Sequence, residues 1–142
     1  RDYTKIVGGR NPIVAHEFLG ASVEGKDVLI IDDMISSGES VMDVAKELKR
    51  RKARKVFVCA TFGLFTDGLE KFDEYYEKGY IHKVITTDLN YHTPELLDRP
   101  YYEPAAMGKY LASIMDILNH DLSVEKVRST TEKINQLLHR YS

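Results

Sequence analysis

The chain has 142 residues, 43% hydrophobic and 30% charged, with a net charge of −2 at pH 7, enough for one domain with a sizeable core. That balance excludes the basic footprint of a nucleic-acid or anionic-membrane binder, no apolar run approaches the roughly 20 residues of a membrane span, and no signal peptide is visible. Cys59 is the single cysteine, so an internal disulfide is impossible, and it reads as a buried structural thiol in a cytoplasmic protein.

Taken in order, residues 1–9 read as a loop, and Pro12 to Phe18 as a strand followed by turn signals at Gly20 and Glu24-Gly25-Lys26. The first residue is Arg1 rather than methionine, which fits a processed product or a piece of something longer. Val28-Leu29-Ile30-Ile31 is an uninterrupted apolar run, expected to form a parallel strand buried on both faces. Asp32 and Asp33 stand where that strand should end, and Ser36-Ser37-Gly38-Glu39-Ser40 leads into a helix with Val41, Val44, Ala45 and Leu48 on one face. The helix should end within the basic run 49–55, whose cations complement the negative end of its dipole.

Val56 to Phe62 is a second buried strand, and Gly63 to Gly68 a loop in which Thr66 or Asp67 caps the next helix. That helix carries Leu69, Phe72, Tyr75 and Tyr76 and stops at Gly79. Lys83 to Thr87 is the third strand; residues 90–102, with Pro94 and Pro100, read mostly as irregular chain. Pro104 is expected to open a helix through Met107, Leu111, Met115 and Leu118, and a last helix carries Val124 to Tyr141, with both apolar stripes expected in the core. Strands alternating with helices imply βαβ crossovers, hence an α/β fold with a parallel sheet and two C-terminal helices.

The chemistry concentrates at one place. In an open α/β sheet, ligands bind beyond the carboxyl ends of the strands, and a turn entering a helix offers free N–H groups and the positive dipole end to a phosphate. Asp32 and Asp33, adjacent along a strand, point to opposite faces; at its open end they can accept hydrogen bonds from sugar hydroxyls or hold Mg²⁺. Ser36, Ser37, Gly38, Glu39 and Ser40 suit a phosphate nest, although the charge of Glu39 opposes a dianion unless it turns outward. A sugar phosphate fits both ends. The five histidines show no metal-ligand spacing, and only His92 lies near the ligand edge.

The acidic pair with its hydroxyl loop resembles the PRPP signature of type I phosphoribosyltransferases and ribose-phosphate pyrophosphokinases. Asn11 to Phe18, Thr61 to Thr66 and Thr93 to Leu97 look like the pyrophosphokinase, and the resemblance runs the length of the chain while covering only the C-terminal part of that enzyme. It implies that residues 1–142 form the C-terminal phosphoribosyltransferase-like domain of a longer enzyme. It also implies transfer of pyrophosphate from ATP to C1 of ribose 5-phosphate, with Mg²⁺, giving PRPP and AMP for nucleotide biosynthesis. By the same resemblance Asp32 and Asp33 hold the ribose hydroxyls and Mg²⁺, and Ser36 to Ser40 line the 5-phosphate loop.

Two departures stand out: Ser36 replaces a third aspartate, and Glu39 a smaller or basic residue. The family's catalytic Lys/Arg loop lies just before Arg1, so the catalytic residues are not assigned, and the chain alone is expected to bind ribose 5-phosphate weakly and not to make PRPP. Uncovered sheet edges and apolar surface lead to an expected homo-oligomer. The rival readings are a phosphoribosyltransferase and a non-catalytic PRPP-fold regulatory subunit.

Overall fold

The computed structural model describes residues 20–120 and 131–141. The loop expected over residues 1–9, the strand at Pro12 to Phe18 and the beginning of the last helix lie outside them. The chain divides after Ala105 into two compact units. The first contains β1 (Val28–Ile35), α1 (Glu39–Arg50), β2 (Val56–Gly63), α2 (Glu70–Glu77), β3 (Lys83–Thr87), α3 (Pro94–Leu97) and β4 (Tyr102–Ala105). The second contains α4 (Gly108–Asn119) and α5 (Thr131–Tyr141).

The four strands make one parallel sheet in the order β1-β2-β3-β4, the α/β architecture that alternating strands and helices imply. Each new strand is added on the same side of the last. Right-handed crossovers then bring every connecting helix to the same face of the sheet. The core shows this: Val41, Ala45 and Leu48 of α1, Phe72 of α2 and Leu96 of α3 pack in one cluster with Val56, Val58 and Val84.

That topology corrects the expectation for the first strand. Val28 and Ile30 are half-buried against the helices, but Leu29 is 52% and Ile31 78% exposed. An apolar run records which residues tolerate burial. Strand order decides how many faces are covered. The strand also continues four residues past Ile31, pairing Asp32 with Ala60, Met34 with Phe62 and Ile35 with Gly63.

Helix α1 buries Val41, Met42, Ala45 and Leu48 and ends where the basic run begins, as its dipole favours. The cations of that run are used locally. Lys49 donates to the carbonyls of Ala53 and Arg54, Arg50 and Arg51 bind Glu47, Lys52 pairs with Glu24, and Arg54 forks onto Asp27 at 2.7 and 2.8 Å. Gly79 follows α2 with φ 69°, the left-handed residue expected at that stop.

Three further expectations are corrected. The residue flanking the start of α2 is Leu69, with no side-chain cap, so neither Thr66 nor Asp67 caps it. Pro104 lies inside β4, opposite Thr86; β4 is an edge strand, where a missing N–H costs no ladder bond. The helix expected at Pro104 begins instead at Gly108. It has no buried residue, and Leu111, Met115 and Leu118 of α4, like Ile134, Leu137 and Leu138 of α5, are exposed. The periodicity identifies amphipathic helices correctly, but it does not say what covers their apolar faces. Among the described residues no helix is long and apolar enough to cross a membrane.

Candidate functional site

The turn between β1 and α1 is built on a buried glycine. Gly38 has φ 81°, in the left-handed region, and a Cβ there would lie 2.4 Å from Phe72 Cζ. Both facts require glycine: L residues avoid that φ, and the Phe72 ring, itself fully buried, occupies the space a side chain would need. Gly38 flanks the helix start and its carbonyl accepts the first helical bond from Met42 N at 2.9 Å. Gly38 at the cap position brings no side chain to the helix start; Glu39 N donates to Ser37 Oγ at 3.4 Å. The first turn of α1 stands at the positive end of the helix dipole, beside this loop.

The loop is held from the other side by the segment after β2. Leu64 N donates to Ile35 O at 2.8 Å and Thr66 N to Ser36 O at 3.0 Å, while Ser36 Oγ lies 3.4 Å from Thr66 Oγ1. These contacts leave a hollow of about 110 Å³ lined by Asp32, Met34, Ile35, Ser36 to Ser40 and Val41. One water needs only ~10–15 Å³ by a comparable measure, so the space suits a tetrahedral anion.

Asp32 and the whole serine–glycine segment thus meet in one place. Asp33 does not join them. Exposure alternates along β1, with Asp32 in the half-buried row of Val28 and Ile30 and Asp33 in the exposed row of Leu29 and Ile31. Asp32 Oδ1 accepts from Asp33 N at 2.9 Å. Glu39 lines the hollow, and Lys71 of α2 donates to its Oε1 at 3.2 Å.

His92 is engaged elsewhere: its ring nitrogens lie 3.1 and 3.4 Å from Tyr102 OH, which also meets the buried Thr86 Oγ1 at 2.5 Å. This chain of polar groups ties the β3–β4 connection to the core. A second hollow, of about 270 Å³, lies against Ile31, Cys59, Ile85, Thr87 and Ala105, and Asp32 lines it as well. Cys59 is half-buried rather than fully buried, and burial pushes its thiol above the usual range, away from reactive thiolate. Among the described residues no three or more His, Cys, Asp and Glu side chains converge to hold a metal. Lys71 and Phe72 escape a reading of the sequence, because they reach the loop only through the placement of α2, Phe72 against Gly38 and Lys71 against Glu39.

A family described as phosphoribosyl synthetase-associated domain matches residues 11–98. Curated relatives include ribose-phosphate pyrophosphokinases from Shewanella oneidensis, 31% identical over 75% of this chain and 33% of the relative, and Pyrococcus furiosus, 36% identical over 48% and 25%. An orotate phosphoribosyltransferase from Oceanobacillus iheyensis is 48% identical over 37% of the chain and 24% of its own length. The solved phosphoribosylpyrophosphate synthetase of Mycobacterium smegmatis superposes with a TM-score of 0.62 at 22% identity, over 72% of this chain and 33% of that one, a likeness of fold. The aligned stretches span a third or less of these relatives' lengths. With a family match reaching over well more than half of its residues, β1, the glycine turn and α1 among them, the chain belongs to the phosphoribosyl synthetase-associated domain family.

Proposed function

We propose that this chain carries the ribose 5-phosphate seat of a ribose-phosphate pyrophosphokinase, the enzyme that moves the pyrophosphoryl group of ATP to C1 of ribose 5-phosphate. One observation carries the reading: Asp32 and the N-terminus of α1 line the same hollow at the carboxyl end of β1. The 5-phosphate sits against the amides that follow Gly38, with the hydroxyls of Ser36, Ser37 and Ser40 around it. Asp32 accepts hydrogen bonds from the ribose hydroxyls through the oxygen that Asp33 N leaves unused. The pyrophosphokinases among the relatives support this choice.

Mg²⁺ fits the same arrangement. It takes one or two carboxylates and fills its remaining positions with water and substrate oxygens, a demand that Asp32 with a bound sugar phosphate meets. When bound, it neutralises charge that develops on the phosphates. Asp33, on the exposed row, contributes from outside the hollow. A cytoplasmic location and self-association through the exposed apolar side of β1 accompany this reading.

The rival is a phosphoribosyltransferase, favoured by the 48% identity to the orotate enzyme. Calorimetric titration separates them. The pyrophosphokinase reading expects saturable binding of ribose 5-phosphate, strengthened by Mg²⁺, and none of orotate or purine bases with PRPP present. An AMP-release assay on this chain is expected to show no turnover. Base-dependent consumption of PRPP would replace the proposal with its rival.

A further inference from the structure

The structure assigns Lys71 as the residue that makes the anion seat workable despite Glu39, an inference that rests on the reading of the β1–α1 hollow as that seat. Glu39 is the first residue of α1 and lines the hollow, so its carboxylate stands beside the place where a phosphate would carry up to two negative charges. Its position in the first turn is favourable for the helix alone, yet repulsive toward the ligand. Lys71 Nζ lies 3.2 Å from Glu39 Oε1, and a cation at that distance offsets the repulsion.

The backbone of Lys71 has a defined place. The next residue, Phe72, is fully buried with its ring against Gly38. The contact that forces glycine into the turn therefore also fixes where the Lys71 backbone stands. The sequence separation is 32 residues, yet α2 brings a steric support and a counter-charge to the same loop in consecutive positions. The pair is about half exposed, and such pairs add little to folding. Lys71 is thus a positioning residue for charge, acting through Glu39, and its removal separates binding from stability.

The test is a double-substitution cycle on the full chain, read as affinity for ribose 5-phosphate and for inorganic phosphate in low salt, with urea midpoints measured alongside. Lys71→Met is expected to weaken binding about three- to fivefold with an unchanged midpoint. Lys71→Arg retains affinity, and Glu39→Gln added to Lys71→Met restores it to within about twofold of the original chain. The loss should shrink at high salt, because exposed charges are screened. Lys71→Met binding as tightly as the original chain, or the double variant staying as weak as the single one, overturns the role of Lys71 while leaving the seat in place. Absence of saturable binding by the original chain overturns the seat and this inference together.

Discussion

The first two strand-to-helix junctions of the first unit are made from the same parts and end differently. At the β1–α1 junction a left-handed glycine meets the Phe72 ring from below, the cap position brings no side chain to the helix start, and a hollow remains above it. At the β2–α2 junction the helix start is also uncapped, but the turn closes on itself. Phe65 takes a left-handed φ of 48° and stacks edge-on against Phe72 at 5.0 Å and Tyr102 at 6.0 Å, and Gly63 sits where a Cβ would strike the Phe65 ring at 2.7 Å. One junction spends its aromatic residue filling space, while the other borrows an aromatic from a neighbouring helix and keeps its space empty. An uncapped helix N-terminus becomes a binding site only where the volume above it stays free.

The largest perturbation of that contrast removes the ring both junctions share. Phe72→Ala should cost about 3–5 kcal/mol, typical of a buried aromatic cut to alanine, and should abolish ribose 5-phosphate binding by loosening the turn. Urea unfolding and calorimetry measure the two effects. Gly38→Ala comes next, at about 1–3 kcal/mol for a non-glycine residue forced into the left-handed region, with further cost from the Phe72 contact. If Gly38→Ala were neutral, the steric account of the turn would be wrong.

Smaller effects follow on binding alone. Asp32→Asn should weaken ribose 5-phosphate binding by about tenfold, since a hydrogen bond to a charged group contributes ~1.5–3 kcal/mol. Asp33→Asn should change it by less than about twofold; equal losses would place both carboxylates at the ligand. The smallest effect lies far from either junction. Arg50, then Arg51, hold the Glu47 carboxyl at about 2, below its ordinary 4.5. A depressed acid contributes stability above its unfolded value and loses it as pH falls toward the folded one. Glu47→Gln should therefore lower the urea midpoint slightly at pH 7 and, because that contribution is already fading toward pH 2, flatten a small part of the fall between about pH 5 and pH 2.

Much of the frame was legible from local pattern. Val56 to Phe62 and Lys83 to Thr87 are strands within a residue of where their apolar, β-branched content puts them, and the face of α1 carrying Val41, Ala45 and Leu48 is buried as its spacing demands. The readings that failed depend on neighbours that a local window does not contain. Whether Leu29 and Ile31 are covered follows from the order of strands, not from their own apolarity. Pro104 reads equally as a helix start or an edge-strand residue, and β3 alone decides between them. At the site, Asp32 and the residues from Ser36 to Ser40 could be named from the sequence because they are contiguous. Lys71 and Phe72 could not, since nothing in their own segment points to a loop more than thirty residues away.

The central claim is that the amides following Gly38 form the anion seat. Its most direct test is a nitrogen–proton correlation titration of the chain with ribose 5-phosphate. The account predicts that the largest saturable shifts fall on Gly38, Glu39, Ser40 and Val41, with inorganic phosphate moving the same signals more weakly. Shifts concentrated instead around Cys59, Ile85 and Thr87, or none that saturate, would contradict it.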